Sequence, residues 1–170
     1  MKTLCDAVVL SVLSLVAGCA FFGPSLHAPE QYTIGVLIQG KESAAQAMQP
    51  VADWMTRDMV KRLQGRKLKT EAVAARDKFS AGPDKYLLAV KVLNWNTGGV
   101  AGTRAGYGAA AVSVDVHYEL LGQDGKPVLA GDTGAGAGSD WTDCAADVDA
   151  ALLDAVLDKL IERQQGTGAR

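Results

Sequence analysis

The chain has few cysteines, few aromatic residues and no surplus of positive charge. It carries 3 cysteines in 170 residues, 6% aromatic residues and a formal net charge of −2. So few cysteines exclude a small scaffold held together by disulfides. A strongly cationic nucleic-acid binder is also excluded, because such proteins need excess positive charge to release counterions from phosphates. We therefore expect no nucleic-acid partner. With 48% hydrophobic residues, the chain has enough apolar side chains for a core of its own.

Long apolar runs are missing as well, and the run near the N-terminus is short. It extends from Ala7 to Ala17 and is interrupted only by Ser11 and Ser14. About 11 residues cannot cross a hydrocarbon core of ~30 Å, which takes about 20 residues in a helix. A short apolar stretch behind a basic residue, here Lys2, is typical of a secretory signal peptide.

The residues after this run are Val16, Ala17, Gly18 and Cys19. They resemble the lipobox of bacterial lipoproteins, with Val16, Ala17 and Gly18 as the cleavage motif. The resemblance implies cleavage before Cys19 and attachment of lipid to its thiol, and several acyl chains anchor a protein to a membrane permanently. Ala20 stands where an aspartate would retain such a lipoprotein at the inner membrane, so the resemblance implies the periplasmic face of the outer membrane. A plain secretory signal with an incidental cysteine is the alternative.

Composition divides the chain into four parts. We expect a signal peptide over 1–18, a lipidated cysteine and tether over 19–30, a single α/β domain over 31–165 and a frayed tail over 166–170. The tether contains two prolines and a glycine without any hydrophobic period, which is typical of a linker.

Hydrophobic periodicity predicts the element order β-α-β-β-β-β-α. Strands are predicted over 31–39, 67–75, 84–95, 112–120 and 126–130, and helices over 44–64 and from residue 139 or 140 onward. The strand over 112–120 alternates apolar and polar residues, so one of its faces is expected to be exposed. This pattern predicts an α/β or α+β fold: a mixed, mostly antiparallel sheet of four to five strands, with two helices packed on one face.

Local signals predict how these elements begin and end. Ser43 and Gln46 match a capping box, and Gly65 suits a left-handed helix C-cap. Pro50 either kinks the first helix or marks its first turn. Residues 122–125 form a predicted turn between two strands. Ser139 or Asp140 is expected to cap the last helix, and the glycine-rich piece over 131–138 is expected to lie outside the strand before it.

Residues 86–131 resemble a pattern of small bacterial lipoproteins. The pattern is a strand, a glycine-rich loop (here Thr103-Arg104-Ala105-Gly106-Tyr107-Gly108), an alternating strand, a turn (here Gln123-Asp124-Gly125-Lys126) and a closing strand. It resembles the family called domain of unknown function 4410, and similar domains include the N-terminal domain of TolB and the curli secretion lipoprotein. The resemblance implies a fold and a compartment, and it carries over no catalytic residues.

The glycine-rich loop offers candidate partner contacts rather than a cofactor site. It lacks phosphate-loop and dinucleotide-binding spacing and leads into a strand, so no cofactor is expected. Arg104 and Tyr107 are candidate contacts with an envelope protein of unknown identity, because Arg and Tyr are enriched in binding hot spots.

Enzymatic and metal-binding alternatives are weaker. Asp115, His117 and Glu119 share one face of a strand and could hold a metal, but a solvated face is the simpler interpretation, so we expect no metal. Cys144 could pair with His117 as a cysteine-peptidase dyad, but a buried cysteine on a helix is the simpler expectation. We therefore expect no catalytic residues and no enzyme activity.

Two function classes follow from these expectations. One is a non-enzymatic envelope lipoprotein that acts as an interaction or scaffold module. The alternative is an accessory lipoprotein for lipid or glycolipid transport or assembly. A solvent-open groove lined by Val112, Val116, Leu152 and Val156 would favour lipid handling, and a filled core would favour the scaffold.

Overall fold

The computed structural model describes residues 32–80, 82–97, 100–101, 108–109, 112–136 and 140–167. Its strands are β1 (Thr33–Gly40), β2 (Lys69–Ala72), β3 (Lys85–Asn96), β4 (Val100–Ala101), β5 (Gly108–Ala109), β6 (Ser113–Leu121) and β7 (Pro127–Gly136), and its helices are α1 (Ala45–Gly65) and α2 (Trp141–Thr167). β1, β2, β3, β6 and β7 form a mixed five-stranded sheet in the order β2-β1-β3-β6-β7, and β4 pairs with β5. This α+β architecture confirms the predicted fold class.

Strand direction gives the sheet two distinct ends. β1 runs parallel to β2 and β3, with Thr33 opposite both Lys69 and Lys85. β6 runs antiparallel to β3 and β7. The starts of the first three strands and the β6–β7 turn therefore lie together, and we call this the Tyr32 end. The opposite end, where Asn96 pairs with Ser113, is the Asn96 end.

The main core lies between one face of the sheet and both helices. Alternate residues of β1, β3 and β6 point to this face, and the four-residue stripes of both helices cover it, as predicted. The fully or almost fully buried members include Ile34, Val36, Val51, Met55, Met59, Leu63, Leu88, Val92, Val114, Val116, Leu120, Val148, Leu152, Val156 and Leu160. At about 25 cal/mol per Å² of buried apolar surface, this layer is the main source of stability.

The described residues on the other sheet face are mostly polar and include a small apolar cluster. Leu37, Leu87 and Leu121 form it, covered by Val73 and Phe79. The Phe79 ring lies so close to Gly35 that an added Cβ there would be 2.6 Å from two ring carbons. Glycine at position 35 therefore lets the segment after β2 close over this cluster.

Both predicted signals at the ends of α1 are wrong. A 3-10 turn over Glu42–Ala44 precedes the helix, and no side chain caps the N-cap residue Ala44, so Ser43 and Gln46 form no capping box. Pro50 lies inside the continuous helix. Because proline has no N–H, the carbonyl of Gln46 lacks its usual hydrogen bond from the residue four positions later. Gln46 lies in the exposed first turn, so water can bond to this carbonyl instead.

Lys67, and not Gly65, adopts the left-handed conformation after α1, with φ 63°. The N–H of Leu68 donates to the carbonyl of Leu63 at 3.2 Å, and the N–H of Lys67 donates to Gln64 at 2.9 Å. This pair of bonds is the Schellman motif. Because Leu63 and Leu68 are both buried, the motif also makes the expected apolar contact, and this packing fixes the left-handed residue two positions after the glycine.

β7 is longer than predicted, because residues 131–136 of the glycine-rich piece belong to the strand. An added Cβ at Gly134 would lie 2.2 Å from Oδ1 of Asp115, and one at Gly131 would lie 3.0 Å from the Tyr118 hydroxyl. Glycines in this edge strand thus make room for large side chains of β6. The predicted turn is confirmed, with Gly125 at φ +71° and its N–H bonded to Gly122 at 3.0 Å.

The remaining boundaries differ less from the prediction. β2 is limited to four residues of the predicted 67–75 segment. Asp140 caps α2, since its Oδ1 accepts a bond from the N–H of Thr142 at 3.2 Å. The helix continues to Thr167, so the first two residues of the predicted tail over 166–170 are helical.

Candidate functional site

The predicted attachment and contact residues lie outside the described residues. These are Val16, Ala17, Gly18 and Cys19 near the N-terminus, and Arg104 and Tyr107 in the glycine-rich segment. Arg104 and Tyr107 fall in the sequence between β4 and β5, which pair antiparallel. The whole connection leaves β3 at Asn96 and enters β6 at Ser113, so it joins the sheet at the Asn96 end.

Asp115, His117 and Glu119 lie on the polar sheet face away from the helices, which we call the open face. Each is engaged by a different neighbour. Asn94 Nδ2 donates to Asp115 at 3.0 Å, His117 Nδ1 lies 2.8 Å from Asp132 Oδ1, and Arg76 Nη2 lies 3.1 Å from Glu119 Oε2. Among the described residues, no three His, Cys, Asp or Glu side chains converge as metal ligands.

A shallow hollow of about 280 Å³ lies on the open face beside these pairs. Arg76, Lys91, Glu42 and Glu119 contribute charged side chains to its lining, and His117 contributes an imidazole ring. Lys91 Nζ lies 3.8 Å from Glu42 Oε1. Exposed ion pairs of this kind contribute only about 0–1 kcal/mol each. The open face therefore presents charges of both signs that are suited to polar contacts with another molecule.

Cys144 and His117 lie on opposite sides of the sheet. Cys144 is in the first turn of α2, buried in the core, and its Sγ lies 3.8 Å from the carbonyl oxygen of Val112. His117 projects from the open face toward Asp132. The sheet separates the two side chains, so the dyad hypothesis is wrong and the expectation of a buried cysteine on a helix is confirmed.

The residues of the hypothetical lipid groove are packed inside the core. Val116, Leu152 and Val156 have no exposed surface, and Val112 is half-buried against the same cluster. Side chains without solvent contact cannot line a groove open to solvent. Of the two alternatives that the sequence left open, a solvent-open groove and a filled core, the structure has the filled core.

Asp149 is a buried carboxyl group that the sequence reasoning missed. It lies on α2 with no exposed surface, and neither oxygen has a hydrogen-bond donor among the described residues. The Asp58 carboxylate of α1 faces it, and Arg62 pairs with Asp58. Burial, and next the charge of Asp58, raise the pKa of Asp149 to about 8.

The raised pKa favours the protonated form of Asp149 at neutral pH. Two ionised carboxylates only accept hydrogen bonds, whereas a protonated one donates to the other. The sequence did contain a signal for this residue. Asp149 lies four residues from both Ala145 and Leu153, so it interrupts an apolar row of α2, where a charged residue is rare unless it is paired.

A cavity of about 780 Å³ opens at the Tyr32 end. The rings of Tyr32 and Tyr86 meet edge to face at 5.5 Å between centroids. The Arg163 guanidinium lies 5.8 Å from the centre of the Tyr86 ring, and Lys85 and Lys126 also line the cavity. The sequence did not indicate this cavity, because its lining comes from four separate parts of the chain.

No helix in the described part of the chain combines the length and the apolar character needed to cross a bilayer.

Comparisons with known proteins identify no family. No family model matches the chain, and no curated protein matches it. The resemblance to domain of unknown function 4410 therefore stays a prediction.

The chain is similar to some solved structures. One is the PelC dodecamer from Paraburkholderia phytofirmans, with 17% identity, a TM-score of 0.44 and coverage of 71% of this chain and 87% of that one. Another is a homolog of a neuraminyllactose-binding hemagglutinin from Helicobacter pylori, with 7% identity, a TM-score of 0.48 and coverage of 84% and 92%. Similarity at this level is compatible with many functions, so function has to be argued from this chain's own residues.

Proposed function

We propose that this protein is a non-enzymatic lipoprotein of the bacterial cell envelope, anchored through Cys19 at the periplasmic face of the outer membrane. Its domain acts as an interaction or scaffold module for an envelope protein. One observation carries the choice of this class: the apolar side chains that could have lined a lipid groove, Val116, Leu152 and Val156, are fully buried. The alternative, lipid or glycolipid transport or assembly, requires an apolar surface that these residues do not offer.

The topology supports a scaffold that holds its partner away from the membrane. The chain enters β1 at the Tyr32 end, so the proposed anchor and tether precede that end. The connection that contains Arg104 and Tyr107 joins the sheet at the Asn96 end. β3 spans these two ends with 12 residues, which corresponds to about 40 Å at a rise of ~3.3 Å per residue. A partner bound where this connection joins the sheet would thus be separated from the Tyr32 end by the length of β3.

Mass spectrometry of the protein from the membranes of a Gram-negative host tests the anchor. We expect the mature chain to begin at Cys19 and to carry diacylglyceryl and N-acyl groups. Cys19→Ala is expected to abolish acylation, with Cys5→Ala as the matched control that leaves it intact. A mature N-terminus at another residue, or an unmodified Cys19, would refute the proposed anchor.

Site-specific photo-crosslinking tests the contact surface in the same membranes. A photoreactive residue at Tyr107 is expected to capture one discrete partner, and Arg104→Ala is expected to weaken that capture. The control probe replaces Gln123, an exposed residue of the turn at the Tyr32 end. Capture that is equal at both positions, or absent at Tyr107, would contradict the assignment of this surface.

A further inference from the structure

The Tyr32 end gathers basic residues from four parts of the chain. Arg66 and Lys67 follow α1, Lys69 and Lys85 begin β2 and β3, Lys126 ends the β6–β7 turn, and Arg163 lies near the end of α2. Pairing fixes this cluster: Thr33 lies opposite Lys69 and Lys85, and the N–H of Lys69 donates to the carbonyl of Tyr32 at 3.3 Å. We call these six residues the basic end.

Two acidic residues accompany these basic residues in the described lining of the cavity. Asp84 and Asp124 line the cavity at the same end, and Asp124 lies 3.8 Å from Lys126. Lys159 and Glu162 nearby form their own ion pair at 2.7 Å. In the described residues, the six basic side chains of this end thus outnumber the two acidic side chains of the cavity lining, although the whole chain has a net charge of −2.

The N-terminal segment of the chain joins the domain at this same end, where β1 begins. Twelve residues, 20–31, separate Cys19 from Tyr32. A segment of that length reaches at most about 40 Å even when fully extended. If Cys19 is acylated, the basic end is thus held near the lipid headgroups, and approach of the domain brings it within the Debye length of ~8 Å at physiological salt.

From this geometry we infer that the basic end docks on anionic phospholipid headgroups and holds the domain upright on the membrane. The inference rests on the proposed anchoring at Cys19. Lys85, Lys126 and Arg163 surround a cavity of about 780 Å³, which is large enough for a phosphoglycerol group. Tyr32 and Tyr86 add aromatic rings of the kind that favour the interface between headgroups and water. The Asn96 end then points away from the membrane.

The chain contains its own reporter of this orientation. All three tryptophans lie in one cluster, with ring centroids of Trp54 and Trp95 at 6.0 and 5.6 Å from that of Trp141. Trp95 precedes Asn96, the last residue of β3, so the cluster marks the Asn96 end. Energy transfer from these tryptophans to a dansyl-labelled lipid reports how often this end approaches the membrane.

The experiment uses the full acylated protein in two kinds of vesicle. One contains phosphatidylcholine, and the other contains phosphatidylcholine with phosphatidylglycerol, each with dansyl-labelled lipid. We expect less transfer on the anionic vesicles, because the upright orientation keeps the tryptophans distant. Salt at about 1 M, where the Debye length is ~3 Å, should remove the difference.

Charge-neutralising variants locate the docking surface. Lys69→Gln with Lys126→Gln is expected to shift the orientation equilibrium by about 25-fold, since each basic residue near an anionic surface contributes about fivefold. The matched control, Lys41→Gln with Arg57→Gln, removes the same charge elsewhere and should leave transfer unchanged. Circular dichroism checks that both pairs fold.

The outcomes separate this inference from the proposed function. A protein that carries no acyl chain and fails to associate stably with vesicles refutes the anchor. An acylated protein with equal transfer on neutral and anionic vesicles keeps the anchor and refutes membrane docking. Both double variants could also lose the difference in energy transfer between neutral and anionic vesicles. That result would show that the net charge, and not the basic end, orients the domain, and it would refute the inference.

Discussion

Asp149 illustrates how one buried carboxyl group can make stability depend on pH. Its pKa is raised from 3.8 to about 8, first by burial and then by Asp58, while Arg62 acts in the opposite direction. Between these two pKa values the folded chain keeps a proton that the unfolded chain releases. The contribution of Asp149 to the free energy of unfolding should therefore be greatest below its unfolded pKa and fall as pH rises through this window, by up to about 1.4 kcal/mol per pH unit.

Asp149→Asn tests this linkage. The amide has nearly the same shape, cannot ionise and can donate a hydrogen bond to Asp58, so we expect a higher free energy of unfolding than the original chain at pH 8. The dependence on pH between 4 and 8 should also become flatter. Urea unfolding across this range measures both effects. The control is Asp154→Asn on the exposed side of α2, and a pH profile that changes equally in both variants would contradict the assignment.

At the level of the elements, helix ends depend on packing as well as on local residue type. Gly65 is the obvious sequence candidate for a left-handed cap, yet Lys67 takes that conformation. The reason is that Leu68 is buried next to Leu63. The helix has to end at its C-cap Arg66 for the chain to turn back and place Leu68 against Leu63. A lysine in this conformation carries a steric penalty that glycine lacks.

Lys67→Gly should therefore stabilise the protein by about 0.5–1 kcal/mol, because relief of the left-handed strain outweighs the backbone freedom that glycine adds. Lys61→Gly is the matched control. It places glycine inside the same helix and should destabilise the protein by about 1 kcal/mol. Chemical denaturation measures both changes, and a destabilising effect of Lys67→Gly would mean that the side-chain contacts of this lysine outweigh the strain.

For the whole molecule, the key property is that both helices fill one face of the sheet and leave the other polar. Leu152 lies at the centre of this layer without solvent contact. Truncation of such a residue removes buried contacts and leaves a cavity. A residue lining a functional groove would behave differently, because its neighbours already face solvent.

Leu152→Ala is accordingly expected to lower the free energy of unfolding by about 2–5 kcal/mol. Leu93→Ala, at a large apolar residue that is 37% exposed, should change it by no more than about 0.5 kcal/mol. Urea unfolding gives both values, and binding of a fluorescent phospholipid is measured in parallel. A small loss of stability at Leu152 together with lost lipid binding would favour the lipid-handling alternative.

Sequence reasoning performed best where one physical signal dominates. Four-residue apolar stripes predicted both helices, and strict alternation predicted β6, because each pattern follows directly from which side chains must leave water. It performed worst where several elements must meet. The length of β7 depends on Asp115 and Tyr118 across the ladder, and the C-cap of α1 depends on where Leu68 can be buried.

The primary structure on its own determined the order of the five main-sheet strands and the two helices, the apolar face of each helix and the half-exposed strand, since these depend on spacing along one segment. It did not predict the short β4–β5 pair, which lies where the sequence predicted a glycine-rich loop. Only the tertiary structure decided that Cys144 and His117 are separated by a sheet, that Asp149 is buried opposite Asp58, and that six basic residues share one end. These facts come from pairing and packing between distant segments, and no local pattern encodes them.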